Sequence, residues 1–141
     1  FGRTFGEVLL TPTEIYALDC LALIRSLKDN LRTFSHITGG GLADNTARVI
    51  PDGLTAIYDR STWSLPHEMR YLAEIAKVAQ TDMERTWNAG IGMVAIVDPG
   101  VAGLTIASLA ARGMSAWVAG EVKTTPGTRG SAALAGTYKS R

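Results

Sequence analysis

The spacing of apolar residues along the chain predicts helices and strands in alternation. Apolar side chains recur every three residues from Ile15 to Leu27, which is the spacing of one helix face. The segment TPTE at residues 11–14 has the form of a capping box, which would start the helix there. Because Ile15 and Tyr16 favour strands, a later start near Asp19 is the alternative.

A short strand that ends in three glycines is predicted after this helix. Phe34, His36 and Thr38 fall on one side of the strand, and Ile37 falls on the other. The glycines at residues 39–41 then turn the chain into the next helix.

Helical and strand patterns continue to alternate to the end of the chain. Thr81 and Glu84 have capping-box spacing at the start of a brief helix, and Gly113 is placed to end a later one. The two closing strands have no helix between them, so we expect them to form an antiparallel pair. The predicted ranges are helices over residues 42–49, 66–78, 81–87 and 101–111, and strands over residues 54–59, within 88–97, 116–122 and 132–138.

This order of elements predicts an α/β (α+β) sandwich, in which a mixed β-sheet is flanked by helices. The 141 residues are a common length for one domain, and no linker or repeat interrupts them. We therefore expect residues 1–141 to fold as a single domain. Because the chain opens on Phe1 rather than Met, we expect it to be a piece of a longer polypeptide.

The composition of the chain argues against several classes of binding partner and ligand. Fourteen Lys and Arg residues against thirteen Asp and Glu residues leave a net charge of +1 without a basic run, which argues against nucleic acid. The longest apolar stretches are well short of the roughly 20 residues that span a bilayer, so no membrane segment is expected. Cys20 is the only cysteine, which favours the reducing cytoplasm. His36 and His67 are the only histidines, and no cysteine is spaced to join them, so no metal site is predicted.

The sequence HITGGGLADN at residues 36–45 is the strongest candidate for a ligand-binding loop. A strand, a glycine loop and the start of a helix, in this order, can leave backbone amides directed at an anion. The nucleotide-binding patterns GxxxxGK[ST] and GxGxxG are both absent. From the pattern alone, Gly39, Gly40 and Gly41 form either a plain turn or an anion-binding loop.

The polar residues around this loop also allow two interpretations. His36 is either a hydrogen-bonded strand residue or a group that transfers protons near neutral pH. Asn45 and Arg48 belong either to a solvated helix face or to the ligand site, where Arg48 would act as a fork for phosphate or carboxylate. The segment NAGIG at residues 88–92 is either an ordinary left-handed turn or a second ligand-binding loop.

Three segments taken together are more specific than any one of them, and they resemble one enzyme family. The segments are GEVLLTPTEIY at 6–16, HITGGGLADNTARVIPDG at 36–53 and RTWNAGIGMVAIV at 85–97. In this order and spacing they resemble the C-terminal domain of aminoimidazole ribonucleotide synthetases, also called phosphoribosylformylglycinamidine cyclo-ligases. The resemblance extends from Gly6 to about Val122 and is loose after that.

The resemblance implies an activity and its cofactors. Enzymes of this family use ATP to convert formylglycinamidine ribonucleotide to aminoimidazole ribonucleotide in purine biosynthesis. The formyl amide oxygen is phosphorylated, an amidine nitrogen attacks the activated carbon, and phosphate leaves. The family pairs two α/β domains, and the N-terminal one binds most of the ATP and Mg²⁺ and forms the homodimer. This chain would then be the C-terminal half, with the ribonucleotide and its own N-terminal domain as partners, and it would be inactive alone.

The resemblance also implies roles for individual residues. Glycine amides would hold the phosphate of the substrate, and Thr38 would add a hydroxyl. The glycines of the second segment would let the backbone approach closely. The expected site consists of His36 for proton transfer, of Thr38, Gly39, Gly40, Gly41 and Asn45 for the substrate phosphate, and of Arg48, Asn88, Gly90 and Gly92 as supporting residues.

The sequence is also compatible with two other functions. A stand-alone ligand-binding or regulatory domain could keep the fold without catalysis, since a fold alone does not confer an activity. The chain could also be part of a related enzyme such as formylglycinamidine ribonucleotide synthetase. The coding sequence upstream of Phe1 separates the first of these from the cyclo-ligase, because an ATP-binding domain encoded there would favour the enzyme.

Overall fold

The computed structural model describes Gly2 and residues 4–140. Helices and strands alternate along it, as the sequence pattern predicts. The helices are α1 (Phe5–Leu9), α2 (Ala17–Leu27), α3 (Gly41–Ala47), α4 (His67–Ile75), α5 (Gln80–Thr86) and α6 (Ala102–Ala110). The strands are β1 (Leu31–His36), β2 (Leu54–Asp59), β3 (Met93–Val97), β4 (Gly120–Thr124) and β5 (Ser131–Ala135).

The strands of the described residues are divided between two sheets. β1 pairs antiparallel with β3, from Leu31 opposite Val97 to His36 opposite Met93. In the second sheet β2 is central, with β4 antiparallel on one side and β5 parallel on the other. This second sheet is mixed, and together with the helices it gives the α+β fold that the sequence predicts.

The expectation that the two closing strands pair with each other is wrong. β4 and β5 lie on opposite edges of β2, so each pairs with β2 instead. The Thr55 hydroxyl of β2 is 2.8 Å from the Thr125 hydroxyl and 2.9 Å from the Ser131 hydroxyl, so it links the two ends of the connecting loop. Gly130 lets this loop cross over, because a side chain there would overlap the Ile50 carbonyl. Both strands are also shorter than predicted.

The start of the chain differs from the prediction as well. The pattern does not predict α1, which begins after Thr4, and the Thr4 side chain forms a capping box with Glu7. The TPTE segment at residues 11–14 does not start a helix, because α2 begins only at Ala17. The later start is therefore the correct alternative. Thr13, Ile15 and Tyr16 have β-branched or aromatic side chains, which lower the helix propensity where the predicted helix would begin.

The second predicted capping box is also wrong, although the helix itself is present. α5 begins at Gln80, and the residue at its N-cap, Ala79, makes no side-chain hydrogen bond. The side chain of Glu84 is instead bonded to Arg60, just after the end of β2. A mostly buried ion pair has therefore replaced the local capping bond that the spacing suggested.

Gly113 ends α6 in the way that the sequence predicts. Its φ angle is +83°, a conformation that favours glycine. The Gly113 amide donates to the Ala110 carbonyl, and the Met114 amide donates to the Leu109 carbonyl, both at 3.0 Å. These two bonds define a Schellman motif with glycine at the C′ position.

The buried core holds α3 in place directly after the glycine loop. Leu42 on α3 and Met83 on α5 are among the largest fully buried side chains, with exposed fractions of 0% and 2%. Thr46, also on α3 and fully buried, shares a hydrogen bond of 2.7 Å with the Tyr58 hydroxyl of β2. Because α3 is fixed against α5 and β2, the loop that precedes it has a defined position.

Candidate functional site

The β1–β3 pair brings the two glycine segments to the same end of one sheet. His36, the last residue of β1, lies opposite Met93, the first residue of β3. Beyond the strands, the Ile37 amide donates to the Gly92 carbonyl at 2.9 Å. The loop after β1 and the segment before β3 are therefore neighbours in space, although nearly fifty residues separate them in the sequence.

Residues 38–41 form a tight turn that leaves two amides unoccupied. The Gly41 amide donates to the Thr38 carbonyl at 3.3 Å, and Gly40 has φ +97° and ψ −4°. This closing bond with a left-handed third residue is typical of a type II turn. Within residues 4–140, no acceptor is found for the amides of Gly39 and Gly40. Of the three glycines, these two are thus available to a ligand, whereas Gly41 uses its amide in the turn.

Gly41 is required for packing. Its φ is +74°, and a side chain on it would overlap the main-chain carbonyl of Glu84. At Gly39, by contrast, an added side chain would meet open space. The loop therefore packs against α5 at Gly41 and is open to solvent at Gly39.

The buried side chain of Asn45 is hydrogen-bonded to the main chain of the loop. Its side-chain nitrogen donates to the carbonyls of Gly41 at 2.7 Å, Gly39 at 3.2 Å and Thr38 at 3.3 Å. The residue is buried, with an exposed fraction of 5%. These bonds occupy the side-chain nitrogen of Asn45, which stabilises the conformation of the turn. The sequence suggested a direct contact between Asn45 and the phosphate instead.

Arg48 folds back over the same loop. Its Nη1 donates to the Asn45 side-chain oxygen at 3.2 Å, and the Thr38 hydroxyl makes a longer bond of 3.5 Å to that oxygen. The Nη2 of Arg48 lies 3.8 Å from the position that a Cβ on Gly40 would take. The guanidinium of the exposed residue Arg48 therefore lies beside Gly40, one of the two glycines with an unoccupied amide.

A depression of about 180 Å³ adjoins the turn on the side of α5. Gly40 forms part of its wall, and the charged residues of the lining are Arg60 and Arg85 together with the acidic Asp44 and Glu84. Arg60 is already paired with Glu84, at 2.7 and 2.8 Å, whereas Arg85 is exposed. This depression is large enough for a phosphate-sized anion beside Gly40.

His36 lies at the edge of this site and is exposed. The ring of Tyr16 meets the imidazole edge to face, with 6.4 Å between ring centroids and 66° between ring planes. The position of His36 three residues before Gly39 keeps it near the loop, in a place open to a ligand.

The NAGIG segment forms a left-handed turn. The Ile91 amide donates to the Asn88 carbonyl at 3.0 Å, and Ala89 and Gly90 have φ of +53° and +85°. The Asn88 side-chain oxygen accepts from the Gly90 amide at 3.0 Å, a bond that stabilises the turn. Two left-handed central residues indicate a type I′ turn.

Close approach occurs at both glycines of this segment, but the groups that approach belong to the chain itself. A side chain on Gly90 would overlap Pro66, and one on Gly92 would overlap the Tyr16 phenol. Tyr16 is a neighbour of this site that the sequence pattern did not predict. Its only local signal is its place at the end of the LLTPTEIY segment, which the family resemblance already included.

The described residues contain neither a metal-binding cluster nor a membrane-spanning helix. Among Gly2 and residues 4–140, no group of three or more His, Cys, Asp or Glu side chains is arranged to hold a metal ion. None of the helices in this part of the chain has the length and apolar character needed to cross a membrane.

Comparison with known proteins identifies the family. The pattern of the family described as AIR synthase related protein, C-terminal domain, matches residues 2–132. A Streptomyces fradiae protein provisionally named as a phosphoribosylformylglycinamidine cyclo-ligase is 52% identical over 86% of this chain and 66% of its own length.

Two further relatives are named phosphoribosylformylglycinamidine cyclo-ligase outright. The Anaeromyxobacter sp. (strain Fw109-5) protein is 43% identical, and the Sorangium cellulosum protein is 46% identical. In both cases the match covers 86% of this chain but only 35% of the relative, so the chain spans about a third of their length. Since the family pattern covers nearly all of it, the chain belongs to the family of AIR synthase related protein C-terminal domains.

Proposed function

We propose that this chain is the C-terminal domain of an ATP-dependent cyclo-ligase that converts formylglycinamidine ribonucleotide to aminoimidazole ribonucleotide. The names of the relatives, at 43% and 46% identity, support this activity. The hydrogen bond between the Ile37 amide and the Gly92 carbonyl is the observation that supports the location of the site. It joins two segments that lie far apart in the sequence and that both carry the family resemblance.

In this proposal the amides of Gly39 and Gly40 hold the phosphate of the ribonucleotide. Both amides lack an acceptor within residues 4–140, and the turn fixes their direction before the ligand arrives. The Arg48 guanidinium beside Gly40 adds a positive charge with N–H groups to spare, and Arg–phosphate pairs are strong charge-assisted bonds. Preorganised donors of this kind stabilise phosphate without reorganisation of the site.

The remaining site residues act around this contact. Asn45 is a positioning residue, because it holds three carbonyls of the turn and orients Arg48. Thr38, an exposed residue whose hydroxyl makes only a long bond of 3.5 Å to Asn45, adds a polar contact at the rim of the loop. His36, also exposed, transfers a proton during ring closure, which converts an amidine nitrogen from a nucleophile into a ring member.

ATP and Mg²⁺ are bound mainly by another part of the protein. An N-terminal domain that precedes this chain binds most of the ATP and Mg²⁺, and the phosphoryl group of ATP is transferred across the cleft between the two domains. This chain contributes one wall of that cleft, and positioning and electrostatic stabilisation supply most of the catalysis. The whole enzyme is a cytoplasmic homodimer.

The test is an assay of the full-length protein that contains this chain. With formylglycinamidine ribonucleotide, ATP and Mg²⁺ we expect ADP release that depends on the ribonucleotide, together with formation of aminoimidazole ribonucleotide. The 141-residue chain by itself should release no ADP above the blank. Binding of the ribonucleotide by the full-length protein without turnover would contradict the cyclo-ligase and favour the regulatory domain.

A further inference from the structure

Tyr16 connects the TPTE segment to the candidate site. It stands at the N-cap of α2, where its side chain forms no capping bond. Its ring instead lies edge to face against His36, with the ring centroids 6.4 Å apart. The side chain therefore crosses from α2 to the end of the β1–β3 pair, where the two glycine segments meet.

The absence of a side chain at Gly92 is what admits the Tyr16 ring. A Cβ on Gly92 would overlap the phenol oxygen, and it would lie 2.8 Å from Cζ and 3.0 Å from Cε2. Distances below 3.0 Å are not tolerated by packed carbon atoms. The phenol end of Tyr16 thus lies on the Gly92 backbone, whose carbonyl is bonded to Ile37 directly before the turn.

The Tyr16 hydroxyl has no hydrogen-bond partner among the described residues, whereas the hydroxyls of two other tyrosines that are buried or half-buried do. Tyr58 bonds to Thr46, and Tyr138 donates to Glu84. No partner for the Tyr16 hydroxyl is found within residues 4–140, and its oxygen is accessible to solvent. Partial burial and the nearby Glu14 carboxylate raise the pKa of Tyr16, so the phenol keeps its proton at physiological pH. It is a neutral donor that the described part of the chain does not use.

We propose that the Tyr16 hydroxyl donates a hydrogen bond to an oxygen of the ribonucleotide, beside His36, and is a further substrate-contacting residue. The inference rests on the proposed function, since it assigns Tyr16 to the same site. A neutral O–H fits an oxygen acceptor, and the donor is held in place by its contact with Gly92. Loss of this hydroxyl removes the bond to the ligand and breaks no hydrogen bond found within residues 4–140.

The test compares Tyr16→Phe with Tyr71→Phe in the full-length protein. Tyr71 is a matched control, because it is 44% exposed on α4 and its ring packs on Phe5, away from the glycine segments. We expect Tyr16→Phe to lower kcat/KM for the ribonucleotide at least tenfold, with the melting temperature unchanged. Tyr71→Phe should keep both values. A kcat/KM for Tyr16→Phe within twofold of the wild type would overturn the inference.

A second measurement separates failure of this inference from failure of the proposed function. If the wild-type protein does not turn over, the cyclo-ligase assignment fails, and binding of ribose 5-phosphate then decides the role of Tyr16. A dissociation constant at least fivefold weaker in Tyr16→Phe than in Tyr71→Phe would support the contact. Equal dissociation constants, or no binding by the wild type, would overturn it.

Discussion

The main-chain carbonyl oxygen of Glu84 lies where a side chain on Gly41 would have to be. Gly40, the preceding residue, also has a left-handed φ, but an added Cβ there would meet its nearest atom only at 3.7 Å. Adjacent glycines are therefore needed for different reasons. Gly41 allows α5 to pack against the loop, whereas Gly40 gives the turn its conformation and keeps an amide open.

Alanine at these two positions should separate packing from conformation. Gly41→Ala combines left-handed strain with overlap of a backbone atom, so we expect it to lower the free energy of unfolding by roughly 2–5 kcal/mol. Gly40→Ala carries the strain alone and should cost about 1–2 kcal/mol. Urea denaturation of both variants measures the difference. Equal losses would show that the Glu84 carbonyl does not constrain Gly41.

Gly40 and Gly113 provide a matched test of the site. Both have a positive φ, and neither has an atom closer than 3.7 Å to an added Cβ, so alanine should cost about the same stability at each. In the full-length protein we expect Gly40→Ala to lower kcat/KM at least tenfold, because the methyl group crowds the open amide and Arg48. Gly113→Ala should leave the kinetics of the folded enzyme unchanged. If both variants turn over equally, the three glycines are only a turn.

The ion pair between Arg60 and Glu84 makes stability depend on pH. The two side chains are mostly buried, with exposed fractions of 15% and 9%. Burial raises the pKa of Glu84, but hydrogen bonds from Arg60, Gln80 and Tyr138 outweigh it and hold the pKa below its ordinary value. Because the pKa is lower in the folded state, the stabilisation is present above the unfolded value of about 4.3 and is lost as pH falls through the folded value.

Glu84→Gln should therefore have an effect that disappears in acid. At pH 7 we expect a loss of about 3 kcal/mol, since the substitution leaves a buried Arg60 without its counter-charge. As the pH falls below the unfolded value of about 4.3 and through the lowered pKa of folded Glu84, the wild type loses the same charge, and the unfolding free energies of the two proteins should converge. Glu121→Gln is the control, because Glu121 pairs with Lys123 at the surface and is 66% exposed. A difference that stays constant from pH 7 to pH 3 would contradict the assignment.

Lys77 occupies a glycine-like position at the end of α4. Its φ is +51°, and the bonds from Val78 to Ala73 and from Lys77 to Glu74 repeat the Schellman pattern seen at Gly113. Lys77→Gly relieves the left-handed strain, and we expect a gain of roughly 0.5–1 kcal/mol after the added entropy of the unfolded chain. Thermal denaturation checks this. A loss of stability would mean that the lysine side chain makes a stabilising contact.

Local signals predicted much of the fold and part of the site. The period-2 pattern before the glycines located β1, the PDG turn separated α3 from β2, and Gly113 ended α6. Each of these depends on the conformational preference of a few consecutive residues. The family resemblance further selected the two glycine segments, which the structure places side by side.

Contacts between distant residues could not be predicted in the same way. Whether β4 and β5 pair with each other or with β2 depends on the edges that β2 leaves available, and neither strand's own sequence encodes this choice. The spacing of Thr81 and Glu84 fits a capping box, but Glu84 gains more from the buried Arg60. The position of Tyr16 on Gly92 likewise required the folded chain.

The most direct test of the phosphate site is a titration of the ¹⁵N-labelled protein with ribose 5-phosphate, followed residue by residue. We expect the amides of Gly39 and Gly40 to shift first and furthest, while the Gly41 amide, bonded to Thr38, moves less. The loop from Thr125 to Gly130, which is also rich in glycine and threonine, is the internal comparison. Shifts confined to that loop, with Gly39 and Gly40 unmoved at saturation, would contradict the account.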